Sequence, residues 1–337
     1  MKQLIDIPLV CICIPNFNNA DTISETLDSL INQTYKNLLI KIFDNASTDN
    51  SMEILREYER LNSNVKVFQS PNNIGAEANF TKCIQNMTGV YSAIYHSDDV
   101  YSPQIVEKSV SALTSKNISA VFTNGIIIDG NNKWIRDQPL PKEFEDNDGF
   151  FELSFRELIK SNMKHDNFLI CPSAMTTTKT YKEVIKVWDC SKYKTAADID
   201  VWLRFAKLNN IGVIADRLIK YRLAENSFSF RRLKTRVTSK DYFLVMDDYI
   251  SRVDVKKYLN ENDYNNYNFL KFKDTAVIER NCIIGGLESE NQIKVNFAIV
   301  KQGFTSPKKL MYLCAGLVFK IINHKKILSK LVHLFKG

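Results

Sequence analysis

Residues 94–103 read IYHSDDVYSP, an apolar run that ends in two adjacent carboxylates, Asp98 and Asp99, with a proline close behind. Two like charges at a strand end are costly unless a cation neutralises them. Oxygen ligands of this kind suit Mg2+ or Mn2+, and those ions suit a diphosphate. A solvated turn is the competing reading of the same pair. A third carboxylate, Asp44, ends the apolar run Leu38–Phe43, with Ser47, Thr48 and Asp49 just beyond it. At a strand end Asp44 can accept a hydrogen bond from the N–H of a uracil-type base, whereas Ser47–Asp49 read as plain caps of the next helix. Asn72-Asn73-Ile74-Gly75 precedes another helix whose N-terminus favours phosphate, though the same four residues also make a simple turn. His96, beside the acidic pair, reads first as a hydrogen-bonding residue and second as an aid to a metal.

These groups need elements to hold them. Leu9–Ile14 is a β-rich run closed by Pro15 and Asn16. Ile23, Leu27, Leu30 and Ile31 share one helical face, with Asp21 placed to cap it. Strands are expected at Leu38–Phe43, Val65–Gln69 and Gly89–Tyr95, and helices at Met52–Leu61 and Ala76–Met87. Strand and helix in alternation predict an α/β fold, a largely parallel sheet flanked by helices. Ligands of such sheets sit at the carboxyl ends of the strands, here Pro15–Asn18, Asp44–Asp49, Pro71–Gly75 and His96–Asp99. Further on, Ala120–Ile128 is strand-like, Gly130–Asn132 a turn and Lys133–Ile135 a return strand. Phe150–Asn162 and Asp198–Lys207 read as helices, the latter with Trp202 and Phe205 inward, and Gly212–Tyr221 as a last strand. Beyond about Leu233 helices follow one another. The expected domains are therefore 1–235, α/β, and 236–337, a C-terminal helical extension.

The 337 residues are 45% hydrophobic and 25% charged, which excludes collagen-like, disordered and disulfide-scaffold classes. No apolar run approaches the ~18 residues of a membrane span. The opening MKQLIDIPLVCICIP lacks the apolar core and cleavage site of a signal peptide. Seven cysteines, odd in number and without a CxxC, point to reduced thiols in the cytosol, and no Cys/His spacing suggests zinc. The net charge is +7, yet residues 291–337 hold nine lysines and no acid, leaving the body of the chain at −2. Basicity is thus a property of the tail.

The stretch CICIPNFNNADTISETLDSLINQTYKNLLIKIFDNASTDNS resembles the opening of family 2 glycosyltransferases: strand, P-x-[FY]-N, helix, S-L-x-x-Q-T-Y, strand, Asp, S-T-D. NNIGAEANFTKCIQNMTGVYSAIYHSDDVYSP resembles their next segment, and the match is collinear over residues 8–103. ICPSAMTTTK is similar to a strand lining the acceptor side, and AADIDVWLRFAKLNNIGVI to the helix that carries the catalytic base. The resemblance implies a GT-A fold, Rossmann-like, and inverting transfer from a nucleotide sugar, with a UDP-sugar expected. It implies Asp198 as the base, with Asp200 as the alternative; a carboxylate in a helix's first turn also simply suits the dipole. It implies donor nucleotide binding by Pro15, Asn16, Phe17, Asn18, Asp44, Asn73, Gly75, Asn79, Ser97, Asp98 and Arg222. Asp98 and Asp99 would hold Mn2+ or Mg2+. A structural ion pair is the equal reading of Arg222, and Lys194 and His165 are undecided. Tyr221-Arg222 with Ser227 and Ser229 resembles Y-R-x-H-x-x-S. Three positions depart from the family: the acidic end is His96-Ser97-Asp98-Asp99 rather than D-x-D-D, and Ala197 and Ala224 stand where Glu and His are usual.

In the tail, Leu310–Phe319 is apolar, and Lys320–Lys336 alternates apolar with basic residues. A basic amphipathic helix of this kind lies on an anionic membrane face; packing on its own domain is the alternative. The expected acceptor is a saccharide or a lipid-linked glycan, as in surface polysaccharide, O-antigen or capsule synthesis. The expected location is cytoplasmic, peripheral on the inner face of the cell membrane. Nucleic acid is not expected: the tail has no arginine and no binding motif. A non-catalytic saccharide-binding or scaffolding relative is the alternative function. A nucleotidyltransferase would want Gly, Arg or Lys in the first loop, which is Pro15-Asn16-Phe17-Asn18-Asn19.

Overall fold

A computed structural model of the chain describes residues 7–144, 149–223, 236–287 and 293–334, with side chains as far as residue 322. It divides into two compact units: Met1–Leu158 with Asn167–Ala224, and Ile159–Asp166 with Glu225–Gly337. The boundary expected at 235 falls within 224–235, outside the described residues.

Among the described residues the first unit is built on a ten-stranded sheet, ordered β3-β2-β1-β4-β9-β6-β10-β5, with β7 beside β6 and β8 beside β10. Strands β1 (Val10–Asn16), β2 (Leu38–Asp44), β3 (Val65–Gln69) and β4 (Tyr91–Ile94) pair in parallel. Helices α1 (Ile23–Ile31), α2 (Ser51–Leu61) and α3 (Ala76–Asn86) connect them. Val10 to Ile14 are all buried, because helices cover both faces of a parallel sheet. Ile23, Leu27 and Leu30 of α1 pack into the same core as Ile12, Ile40 and Ile42.

The rest of the sheet is mixed rather than largely parallel. β6 (Ala120–Ile128) and β10 (Ile211–Arg222) are parallel neighbours. However, β5 (Val100–Tyr101), β7 (Trp134–Asp137), β8 (Phe150–Leu153) and β9 (Met175–Thr177) all run antiparallel. The β6–β7 return passes through Asn132 at φ 64, so a tight hairpin needs no crossover helix. Phe150–Leu153, expected to open a helix, is the strand β8; the helix begins only at Phe155 and runs to His165. Its start is a capping box. Ser154 donates its N–H to Glu157 Oε2 at 2.8 Å, and Glu157 N–H donates to Ser154 Oγ at 3.3 Å. Asp21 does not cap α1; Thr22 holds that position without a side-chain bond.

The described part of the second unit is helical, as expected: Tyr242–Ser251, Val253–Lys256, Glu261–Gly285, Phe297–Gly303 and Pro307–Leu334. Phe269, Phe272, Ile293, Ile299 and Leu313 form its apolar cluster. Gly316 lies so close to Phe272 that a Cβ would come within 2.4 Å of the ring. A buried ion pair, Arg236 Nη2 to Asp274 Oδ1 at 2.7 Å, ties the segment before the first of these helices to Glu261–Gly285. Among the described residues no helix is long and apolar enough to cross a membrane.

Candidate functional site

Parallel pairing sets Asn16 of β1 opposite Asp44 of β2, so the register alone brings two polar residues to one sheet edge. Both are buried, and Asn16 Nδ2 donates to Asp44 Oδ1 at 2.9 Å. Ser47 completes the knot. Its hydroxyl donates to Asp44 Oδ1 at 2.5 Å and accepts the Asn18 N–H at 2.9 Å, while its own N–H donates to Asp44 Oδ2 at 3.0 Å. Thr48 N–H donates to Asn18 Oδ1 at 2.8 Å, and Asp49 accepts the N–H groups of Ala20 and Ser51. Asp49 thus serves the start of α2 as expected of a cap and also holds Ala20, whereas Ser47 and Thr48, expected as caps too, clamp the first loop to the second. Asn18, at φ 53, is held in the left-handed region by these bonds, which asparagine tolerates well. Phe17 and Asn18 are exposed at the tip.

The acidic loop lies next to this knot. Asn19 Nδ2 donates to Ser97 Oγ at 2.6 Å, Thr22 donates to Ser97 O, and Thr26 to Asp99 O. Tyr101 stacks on Tyr95, with ring centroids 4.2 Å apart, and its hydroxyl accepts the His96 N–H at 2.8 Å. Arg222, at the end of β10, fastens the loop from the far side. Its N–H donates to Asp99 Oδ1 at 2.8 Å and its Nε to Asp98 O at 2.7 Å; Nη1 reaches Asn132 and Nη2 reaches Glu25.

Asp99 is wholly buried, yet its Oδ2 has no hydrogen-bond partner. His96 Nδ1 lies 3.8 Å from it. Burial pushes the Asp99 carboxyl well above its usual range, the Asp98 charge adds to this, and Arg222 opposes it. Burial also lowers His96, against the pull of Asp98, which favours the neutral imidazole that binds metals. One ligand atom each from His96, Asp98 and Asp99 lie within 4.8 Å of one another. An orphaned buried oxygen, a second carboxylate and an imidazole fit a divalent ion such as Mn2+ or Mg2+.

Asp198 stands in the first turn of the helix Ala197–Leu208 and accepts the Ile199 N–H at 2.9 Å. Burial pushes its carboxyl up to about 6, against its backbone hydrogen bonds. The Cys171 thiol is raised by burial and then by the charges of Asp198 and Asp99. Both carboxylates therefore lie within electrostatic reach of one sulfur. Asp200, the alternative base, is buried, and its Oδ2 is 3.6 Å from Arg204 Nη1.

Several expected donor-site residues make hydrogen bonds that brace the fold. Arg222 is buried, and its guanidinium bonds Glu25, Asn132 and main-chain carbonyls, the arrangement of the structural ion pair. Asn79 is buried and donates to Phe43 O at 2.8 Å. Asn73 Oδ1 accepts from Asn45 Nδ2 and from the Gly75 N–H, bracing the third loop, where Gly75 sits at φ 87. Pro15, Asn16, Phe17, Asn18, Asp44, Ser97, Asp98 and Asp99 do share one edge. Ala224, Ser227 and Ser229 lie outside the described residues. Residue spacing could not have found Glu25 and Asn132, which bond Arg222 from distant parts of the chain. An open groove of about 1000 Å³ between α3 and Val187–Ser191 was also unforeseen; Glu77, Lys82, Trp188 and Asp189 line it. Phe80 contacts both His96 and Trp188, with centroids 5.7 and 4.9 Å away, linking the groove to the acidic loop.

Known proteins share sequence and fold with most of this chain. An uncharacterized glycosyltransferase of Methanocaldococcus jannaschii, MJ1057, is 26% identical over 253 residues, 71% of this chain and 82% of that protein. The UDP-Glc:alpha-D-GlcNAc-diphosphoundecaprenol beta-1,3-glucosyltransferase WfgD of Escherichia coli is 25% identical over 231 residues, covering 67% and 81%. Among solved structures, S. aureus TarS 1-349 in complex with UDP is similar in fold, with a TM-score of 0.53 at 13% identity, covering 95% of this chain and 92% of that one. The fold is accordingly GT-A-like, with a helical C-terminal region. The sequence model for glycosyl transferase family 2 matches residues 11–179, half of the chain. The chain belongs to that family and is a glycosyltransferase.

Proposed function

We propose that the chain moves a hexose or N-acetylhexosamine, with inversion, from a UDP-sugar to a hydroxyl of a saccharide or lipid-linked glycan. The observation that carries this reading is the unpartnered buried oxygen of Asp99 beside His96 and Asp98, together with the carboxyl of Asp198 that burial raises in the first turn of its helix. The name of the Escherichia coli relative, which gives a UDP-sugar donor and a diphosphoundecaprenol acceptor, supports the substrate classes.

In the proposed reaction Asp198 takes the proton of the acceptor hydroxyl as that oxygen bonds to the anomeric carbon. The bond from that carbon to the diphosphate breaks on the opposite face, and its electron pair leaves with the nucleoside diphosphate. A base near pH 6 is mostly ionised at neutral pH and stronger than an ordinary carboxylate; such help is worth roughly 10²–10⁴-fold. Asp98 and Asp99, with His96, would hold Mn2+ or Mg2+, which supplies Lewis-acid stabilisation of the leaving diphosphate when bound. Phe17 offers an exposed ring to the base, and Asn18, Ser97 and Asp98 offer polar atoms to the ribose and phosphates. Asp44 and Asn16 fix the loop on which Phe17 and Asn18 stand. A peripheral position on the inner face of an anionic membrane goes with a lipid-linked acceptor, and the nine lysines of residues 291–337 support it.

Calorimetric titration with UDP, with and without Mn2+, tests the donor site. Metal-dependent binding lost in Asp99→Ala, with transfer lost in Asp198→Asn, is the expected result. No binding of UDP or of any other nucleoside diphosphate would refute the catalytic reading and favour a non-catalytic relative.

A further inference from the structure

The helix Pro307–Leu334 is packed on one side by Leu313 and by Gly316, which sits against Phe272. An α-helix turns about 100° per residue, so Met311 and Val318 fall opposite Leu313, and Ile321 lies about 80° round from it, next to Val318 on the outer face. A surface helix normally turns polar residues to water there. These three apolar side chains are instead more than half exposed, and Cys314 between them is exposed too. Phe297 and Phe304, at the two ends of the preceding helix, are also more than half exposed. This concentration of exposed apolar side chains is not the scatter of single residues found on ordinary surfaces. It lies wholly within residues 291–337, which hold nine lysines and no acid.

We propose that the outer face of this helix, Met311, Val318 and Ile321, inserts into the interface of an anionic lipid bilayer with the helix lying in the membrane plane. The inference rests on the membrane-facing part of the proposed function and deepens it. The lysines attract the chain to the surface, and the apolar face determines how it sits there. Charge selects the occupant. A second copy of this chain would bring its own nine lysines against the first set, whereas anionic headgroups neutralise both the flanking Lys308 and Lys320 and the rest of the segment. An in-plane helix inserts only part of its girth, so three exposed side chains on one face are enough to define the insertion line.

Flotation of the full chain with phosphatidylcholine vesicles, with and without phosphatidylglycerol, tests this. The comparison is with a variant carrying Met311→Ser, Val318→Ser and Ile321→Ser, checked for fold by circular dichroism and by UDP binding. The wild type is expected to float only with phosphatidylglycerol, and the variant to lose about tenfold or more in partitioning. A variant that floats like the wild type overturns the insertion face while leaving the charge-based membrane contact of the proposed function standing. If the wild type does not float, both membrane statements fall. A wild-type dimer in sedimentation that the variant abolishes, without flotation, would make the face a self-interface and overturn the proposal.

Discussion

Asp198→Asn should make the protein more stable and nearly inactive at once. Burial moves the carboxyl from 3.8 to about 6 on folding, against the hydrogen bond from Ile199 N–H. An acid whose pKa rises on folding holds its proton more tightly in the native chain than in the unfolded one. Ionising it therefore costs native stability. The cost is absent below pH 3.8, grows between 3.8 and about 6, and is complete above that. At 1.36 kcal/mol per pKa unit, and allowing for the partial exposure of the side chain, it amounts to about 1–3 kcal/mol. Asparagine keeps the shape, still accepts the Ile199 N–H through its Oδ1, and carries no charge. Urea unfolding at pH 8 should place the variant about 1–3 kcal/mol above the wild type, with the two curves converging near pH 4. Transfer should fall roughly 10²–10⁴-fold while UDP affinity stays unchanged. In the wild type, kcat should fall below pH 6, reaching about a tenth of its plateau at pH 5. A variant no more stable than the wild type at pH 8, or one that retains a tenth of its activity, would refute both the buried-carboxylate argument and the assignment of the base.

Arg222→Met should destabilise the first unit by about 2–4 kcal/mol, because Asp98 O, Asn132 and Glu25 each lose a charged donor. It should also weaken metal-dependent UDP binding, with Arg222→Lys recovering only part; calorimetry and urea unfolding measure the two effects. Ser47→Ala removes the hydroxyl shared by Asp44 and Asn18 and should cost about 1–3 kcal/mol. Its UDP affinity should drop as well, since the Phe17–Asn18 tip loses an anchor; a plain helix cap would leave that affinity alone. Gly316→Ala forces a methyl into the Phe272 ring and should cost about 1–3 kcal/mol of second-unit stability, read by thermal unfolding, with UDP binding intact.

Which features were legible in sequence follows from their range along the chain. The β1–β4 strands and their helices announce themselves through local periodicity, and the acidic pair and Asp44 stand at the ends of apolar runs. The failures were of two kinds. A short antiparallel strand such as Val100–Tyr101 has too few residues for a period to show, and Met175–Thr177 is legible only through the family resemblance of ICPSAMTTTK. Phe150–Leu153 merged with the helix behind it because the S-x-x-E signal at Ser154 and Glu157 went unread, although it fixes where the helix starts. In the site, the Arg222–Glu25 pair joins residues 197 apart in sequence. No local pattern can show that contact, since the pairing of β10 with β5, Lys220 opposite Val100, and with β6 carries Arg222 back to the acidic loop.

The same contacts explain why so many motif residues prove to be framework. A site at the edge of a parallel sheet is made of loops, and a loop has no ladder to hold it. Asn16, Asp44, Asn45, Asn73 and Asn79 supply what the ladder would have given: each ties one loop to the next, or to a strand, through a side-chain amide or carboxylate. Sequestering these polar groups is tolerable only because they bond one another. The groups left to meet a ligand are then few: the exposed tip of Phe17 and Asn18, the unpartnered oxygen of Asp99 with its neighbours His96 and Asp98, and the destabilised carboxylate of Asp198. The two kinds of residue should respond differently to change. Framework substitutions should move stability and nucleotide affinity together, as with Ser47 and Arg222, whereas Asp198→Asn should lower turnover while raising stability.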